Sequence, residues 1–349
     1  MKLLVFEYAV ANGLNNSSLT VEGQGMLDGL LKDLNNVDVD YLITDNIKKS
    51  DSNILNNGNE CNPVKIRDNL GLWMDKNIDK YDACLPLAPE EDFASYNLTQ
   101  KIEDNHVKVI GSNSEAVLTC SNKFKTYTSL KNKVPFIKTE KIFFSELKEY
   151  KPFFDTTKKV LVKPADGVSC KGVQIIKSYA DFIRASARMK RATKLPYFLL
   201  QDFIDGISTS VSLLTNGKTA IPLSLNLQNL RLDKGNIIYD GGEVPFEHEL
   251  SLEAKNIAKK AVESLDGLKG FVGVDLILDK ENEEVHIIEL NPRLTTPYVA
   301  LRRILNFNLG DAIINSVYGE LPSKIFLNGA IAFNKEVNHL MIKRSVDMK

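Results

Sequence analysis

The first third of the chain alternates two patterns. Short runs rich in Val, Leu, Ile and Phe read as buried strands: K-L-L-V-F at 2–6, V-D-V-D-Y-L-I at 37–43, Tyr81 to Leu87, and V-K-V-I-G at 107–111. Between them lie stretches with helical periodicity. Met26, Leu27, Leu30, Leu31 and Leu34 form one stripe over 22–34, and a second helix is expected over 90–104. Ala9 to Thr20 and the polar, Asn-rich 45–62 read as loops. Strand and helix in alternation predict a parallel α/β unit over roughly 1–112. G-Q-G-M-L-D-G at 23–29 is not a dinucleotide fingerprint, because its spacing is G-x-G-x-x-x-G and a long loop separates it from the first strand.

Beyond residue 112 the rhythm changes. A short helix starts at Ser121, K-V-P-F-I-K-T at 133–139 leads into a strand, and K-V-L-V-K-P at 159–164 is a strand ending in Lys163. V-Q-I-I at 173–176, Y-F-L-L-Q-D-F-I-D-G at 197–206 and 208–218 read as further strands. G-G-E-V-P-F at 241–246 reads as a Gly-rich turn before a helix at 252–264, and two helices follow residue 297. The tail from Pro322 carries one strand-like run.

Length and composition set limits. A chain of 349 residues holds two or three compact units, and 43% apolar with 26% charged residues is ordinary for a globular protein. The net charge of −1, with signs interspersed, gives no reason to expect nucleic acid or a membrane as partner. No apolar run reaches spanning length, and M-K-L-L-V-F-E-Y meets Glu7 too early for a secretory signal, so a cytoplasmic protein is expected. Cys61, Cys84, Cys120 and Cys170 are scattered without a C-x-x-C pair, which suits reduced thiols.

The chemistry concentrates between Phe271 and Pro297. F-V-G-V-D-L-I-L and V-H-I-I-E-L-N-P flank a polar turn, which is a hairpin signal. With a turn near Asn282, Asp275 falls opposite Glu289 or one residue away, Glu289 and Asn291 share a face, and Gly273 near Asn291 leaves open space. Two carboxylates and an amide oxygen thus converge on an apolar hairpin. Burying such charges without a cation costs several kcal/mol each. Oxygen-only ligands suit Mg²⁺ or Mn²⁺ with phosphates completing the shell. Alone, the same pattern equally suits a surface hairpin with solvated acids. His286, three residues before Glu289, alternates onto the other face and reads as structural; His248 is a candidate base.

Two further stretches bear on phosphate and base recognition. A-D-G-V-S-C-K-G at 165–172 offers backbone N–H groups between Gly167 and Gly172, and Lys163 adds a point charge beside them; a plain turn with a surface lysine fits as well. Leu200, Phe203 and Ile204 in Q-D-F-I-D-G could line an adenine slot or an ordinary buried strand. No G-x-x-x-x-G-K-[ST] and no G-x-S-x-G occur.

The order of these parts resembles the ATP-grasp superfamily of carboxylate–amine ligases: an α/β unit, Lys123, a strand-end Lys163 before a Gly-rich loop, Q-D-F-I-D-G, and D…E-x-N-P. The resemblance implies an α/β (α+β) ATP-grasp fold preceded by a parallel pre-ATP-grasp domain. The expected division is 1–112, a small lobe with its lid at 113–200, a large lobe at 201–320 and an extension at 321–349. E-Y-A-V, E-G-Q-G-M-L-D-G-L-L and G-G-E-V-P-F point to the archaeal branch that joins L-glutamate to tyramine in methanofuran biosynthesis. Another amino acid, amine or peptide pair, or a non-catalytic nucleotide binder, are the alternatives.

The resemblance also implies roles. ATP and two Mg²⁺ or Mn²⁺ ions are the expected cofactors. Lys123, Lys163, Gly167, Val168, Ser169 and Gly172 would meet the phosphates, and Gln201, Asp202 and Phe203 the adenine. Asp275, Glu289 and Asn291 would hold the metals, while Lys163 and Arg293 would act on the transferring group and acyl phosphate. Two positions depart from the family. Ser208 stands where an acid usually meets the ribose, with Asp205 nearby, and Gly273 stands where many relatives carry Arg, a charge that Arg293 or Arg231 could supply. Relatives are often dimers, and a homodimer is the assembly suggested.

Overall fold

The computed structural model describes residues 1–14, 17–34, 36–44, 61–156, 159–168, 171–233, 236–335 and 340–344. The chain begins with a five-stranded parallel sheet, β1 (Lys2–Glu7), β2 (Asp38–Thr44), β3 (Asn62–Ile66), β4 (Ala83–Leu87) and β5 (Lys108–Val109), in the order β3-β2-β1-β4-β5. Helices α1 (Tyr8–Ala11), α2 (Ser17–Asp33), α3 (Leu70–Asn77) and α4 (Ala94–Asp104) connect them. The stripe Met26, Leu27, Leu30, Leu31, Leu34 is buried, as its spacing predicts.

Several expectations are corrected. Ala9–Thr20 is not a loop throughout, because Glu7 caps α1 by accepting from the Val10 amide, and α2 starts at Ser17. Residues 45–60 lie outside the described residues, but 62 already belongs to β3, where Pro63 is tolerated on an edge strand. The expected helix at 90–104 starts at Ala94, after backbone at positive φ at Asp92 and Phe93.

Helices α5 (Ser114–Cys120) and α6 (Lys123–Leu130) lead to a four-stranded antiparallel sheet of β6 (Thr139–Phe143), β7 (Val160–Lys163), β8 (Gln174–Ile176) and β9 (Tyr197–Asp202), ordered β6-β9-β7-β8. Helix α7 (Phe153–Thr156) and helix α8 (Tyr179–Ala192) cover its aromatic core around Phe182 and Phe198. Q-D-F-I-D-G then carries the chain into β10 (Gly206–Thr215) of a larger sheet.

That sheet holds β10, β11 (Ala220–Asp233), β12 (Asn236–Val244), β13 (Gly270–Asp279), β14 (Val285–Asn291), β15 (Ile331–Lys335) and β16 (Leu340–Arg344), ordered β14-β13-β10-β11-β12-β15-β16. Helix α9 (Ser251–Glu263) packs behind it, and α10 (Tyr298–Leu301) and α11 (Leu309–Val317) join it to α2 through a shared core. Gly241–Val244, read as a turn, is strand backbone paired with both β11 and β15. A Cβ at Gly241 would lie 2.1 Å from the Phe333 carbonyl oxygen and one at Gly242 2.2 Å from that of Leu227, so these glycines serve close strand approach. Strands β11 and β12 are thus long antiparallel partners.

The three glycines of 23–29 serve packing on α2. A Cβ at Gly23 would lie 2.3 Å from the Glu7 carboxyl carbon, at Gly25 2.8 Å from Leu340, and at Gly29 3.0 Å from Arg302. Cys61 is half-buried and Cys84 and Cys120 are buried as free thiols, while Cys170 lies outside the described residues. Among the described residues no helix is long and apolar enough to cross a membrane.

Candidate active site

Two cavities meet at the β13–β14 hairpin. The larger, about 500 Å³, lies between the four-stranded sheet and the seven-stranded sheet. The smaller, about 310 Å³, lies between the parallel sheet and the seven-stranded sheet. Asp275, Glu289, Gln228 and Leu230 belong to the walls of both.

Asp275 pairs directly with Glu289 across the hairpin, and Gly273 with Asn291. The register then slips, so that Leu276 faces Ile287 and Ile288 is left unpaired in a bulge. Strict alternation would put Ile287 on the same face as Glu289. The bulge instead buries Ile287 in the core and lets Ile288 and Glu289 both reach the larger cavity. It also returns His286, which pairs with Ile277, to the face of Glu289, contrary to the expected alternation. His286 lines neither cavity; its Nε2 lies 3.3 Å from Glu284. His248 also lines neither, and its Nδ1 accepts from the Leu250 amide in the turn before α9. The open space expected at Gly273 is filled: a Cβ there would lie 2.6 Å from the Thr295 methyl carbon.

The carboxylate pair is held by polar neighbours on both sides. Asp275 Oδ1 accepts from Gln228 Nε2 at 2.9 Å and Oδ2 from Asn291 Nδ2 at 3.1 Å. Glu289 Oε2 lies 2.9 Å from Lys123 Nζ, which also donates to the Gly167 carbonyl at 2.5 Å. Burial, reinforced by the charge of Glu289, pushes the Asp275 carboxyl up to about 7. Burial pushes Glu289 the same way, but Lys123 and Lys163 outweigh it and hold this carboxyl below its ordinary value. Lys123 loses hydration, yet Glu289, Glu90 and Asp275 keep its pKa above the usual lysine range.

Among the described residues no group of three or more His, Cys, Asp and Glu side chains could hold a metal. The donor set here is two carboxylates and the Asn291 amide, all oxygen, and the facing carboxylates favour a shared cation. That set fits a Mg²⁺- or Mn²⁺-type ion whose remaining positions are filled by phosphate and water.

The larger cavity gathers most of the residues singled out from the sequence. Lys123, Lys163, Gly167, Val168, Gln201, Asp202, Phe203, Ser208, Asp275 and Glu289 all line it. Lys163 is only 3% exposed at the end of β7. The buried Gln201 side chain donates to Thr139 Oγ1 at 2.9 Å, and Lys159 Nζ caps the Phe203 ring at 3.4 Å from its centre. Gly172, at φ +81°, shapes the loop without lining the cavity, and Ser169 lies outside the described residues. Asp205 and Arg231 line the cavity beside Ser208; Arg231 pairs with Asp240 at 2.5 Å. Asn291 and Arg293 face the smaller cavity instead.

That cavity opens where the carboxyl ends of β1 and β4 meet, the point at which the strand order of the parallel sheet reverses. Open parallel sheets bind ligands at such points. Glu7, Tyr8, Leu87 and Ala88 form this wall. Burial raises the Glu7 carboxyl to about 7, against the pull of the Val10 and Ala9 amides and Arg293. The Arg293 guanidinium forms a two-pronged bond to Glu90, Nε to Oε1 at 2.8 Å and Nη2 to Oε2 at 2.7 Å. Gln228, Glu7 and Glu90 were not singled out from the sequence. Glu90 lies in the polar run that follows β4, and nothing in the alternation of β11 distinguished Gln228.

The chain belongs to the ATP-grasp family: the ATP-grasp domain matches residues 120–297, which span both lysines, the Gly-rich loop and the paired acids. Tyramine–L-glutamate ligase of Methanocaldococcus jannaschii is 35% identical over 91% of this chain and 90% of its own length, and the enzyme of the same name from Methanocaldococcus fervens is 34% identical over 86% and 89%. Among solved structures, an ATP-grasp superfamily protein from Archaeoglobus fulgidus superposes with TM-score 0.71 at 25% identity, covering 99% of this chain and 100% of that one. A biotin carboxylase–βγ-ATP complex from Campylobacter jejuni superposes with TM-score 0.74 at 16% identity, covering 95% and 75%.

Proposed function

We propose that this protein is an ATP-dependent ligase that joins the γ-carboxylate of L-glutamate to the amine of tyramine, releasing ADP and phosphate. The observation that carries this reading is the wall shared by the two cavities, formed by Asp275, Glu289 and Gln228. A nucleotide in the larger cavity and an acid in the smaller one would meet there. The two tyramine–L-glutamate ligases, matched over most of their length, support the choice of substrates.

The γ-carboxylate attacks the terminal phosphorus of ATP and ADP leaves; the ammonium loses a proton to solvent, the neutral amine attacks the acyl phosphate carbon, and phosphate departs with the second nitrogen proton. Neither step needs a protein nucleophile, so the side chains position groups and neutralise charge. Asp275, Glu289 and Asn291 would hold Mg²⁺ or Mn²⁺, which when bound neutralises phosphate charge. Lys123 and Lys163 supply fixed positive charge beside Glu289. Gln201 and the 201–205 segment hold the base, and Gly167, Val168 and Lys171 wall the phosphate side of the cavity against water. Arg293 acts chiefly by fixing Glu90 and the end of the hairpin, since Glu90 and the Leu294 carbonyl take its donors.

Phosphate release from ATP, measured with L-glutamate and tyramine together and singly, tests the reading. Release that needs both, with γ-glutamyltyramine formed in equal amount, is expected. Release indifferent to either substrate would overturn it.

A further inference from the structure

We propose that Glu7, held in place by Gly23, is the residue that receives the primary ammonium group of the amine substrate. The inference rests on the ligase reading above and assigns the amine end of the smaller cavity.

Charge accounting across that cavity isolates Glu7. Glu22 is paired with Lys335, Glu91 with Lys171, Asp92 with Lys194 and Glu289 with Lys123. Asp275 belongs to the cation-binding pair. Glu7 is the remaining acid of the wall, and among the described residues no cation lies within ion-pair distance of it. It is 6% exposed, and its Oε2 accepts from the Val10 amide at 2.8 Å. Such a buried carboxylate favours a cationic partner.

Arg293 is the one Lys or Arg among the described residues that lines the cavity, and it is bound to Glu90. The wall therefore carries one acid without a cation of its own, Glu7, and that end of the cavity suits the ammonium end of a substrate. Leu14, Leu19 and Met26 line the same cavity and suit a flat hydrocarbon body. Nearby, the Thr295 hydroxyl is buried without a hydrogen-bond partner among the described residues. It is free to serve a polar group of the ligand.

Gly23 is part of the same device. Any side chain there would meet Glu7, because a Cβ would fall 2.3–2.7 Å from all three carboxyl atoms. The glycine lets the carboxylate lie flat on α2 and stay in the cavity wall.

Steady-state kinetics on the full-length enzyme tests the assignment. Glu7→Gln is expected to raise KM for tyramine at least tenfold while KM for ATP and for L-glutamate change less than twofold. 4-Ethylphenol, which keeps the ring and lacks the ammonium, is expected to inhibit wild type and variant equally. Gly23→Ala is expected to raise KM for tyramine in the same direction, and thermal melting of both variants checks that they fold. An unchanged KM for tyramine in a folded Glu7→Gln enzyme would overturn the proposal, as would a rise confined to L-glutamate. Failure of the wild type to couple the two substrates would instead remove the ligase reading itself.

Discussion

Arg293 and Glu90 are joined by two parallel hydrogen bonds across 203 residues of sequence, the guanidinium at the end of the β13–β14 hairpin and the carboxylate just beyond β4. The Glu90 side chain is 5% exposed and that of Arg293 20%. This pair fastens the parallel sheet to the sheet that carries Asp275 and Glu289. Removing one partner leaves a buried charge uncompensated, which costs about 3–5 kcal/mol. Glu90→Gln is expected to lower unfolding free energy by that order in a denaturant titration, and Arg293→Met with Glu90→Gln together by less than the sum. Additive losses would show that the two groups act independently.

Asp275→Asn and Glu289→Gln are expected to cut phosphate release by roughly 10²-fold or more. Both should keep their fold. Without metal, Asp275→Asn should melt higher than wild type, because it removes a carboxylate whose charge is disfavoured first by burial and then by the facing Glu289. Activity assays paired with thermal melts in chelator check both halves. Retained turnover in either variant would refute the metal assignment.

Glu7 gives a pH signature. Its folded pKa of about 7 lies above the ordinary 4.5, with burial the main cause. A raised folded pKa means a contribution to stability that is present below pH 4.5 and lost as pH rises through 7. The loss is on the order of 3 kcal/mol. Glu7→Gln keeps an acceptor for the Val10 amide and removes the titration. It is expected to melt above wild type at pH 8 and to match it near pH 4.5. Parallel melting curves across that range would argue against a raised Glu7 pKa.

Lys123→Gln removes the ammonium that touches both Glu289 and the Gly167 carbonyl. Weaker ATP binding, by about tenfold or more, is expected from titration calorimetry. In the wild type, an ATP analogue is expected to increase hydrogen-exchange protection at residues 165–168 and 171–172. Unchanged exchange there would argue against their acting as a lid.

What the sequence disclosed, and what it hid, has a physical basis. The facing of Asp275 and Glu289 was legible because a tight turn between two apolar runs fixes register. The bulge at Ile288 was not, since one unpaired residue leaves no compositional trace, and it reversed the expected face of His286. Gly241 and Gly242 carry turn chemistry but serve strand approach, so the end of β12 was read as a turn. Helix α1 went unseen because its cap is a glutamate, outside the usual Ser, Thr, Asp and Asn set. The smaller cavity was invisible for a different reason: Glu7, Glu22 and Arg293 come together only through tertiary packing of distant segments.

The contact of Lys123 with Glu289 has a thermodynamic corollary. A carboxylate that already holds an ammonium does not present a bare charge to an incoming ion. A divalent ion held here with a nucleotide would have to displace the Lys123 ammonium from Glu289, and a phosphate oxygen would offer that ammonium a new acceptor. Lys123 would then offset part of the negative charge that the nucleotide brings into the cleft.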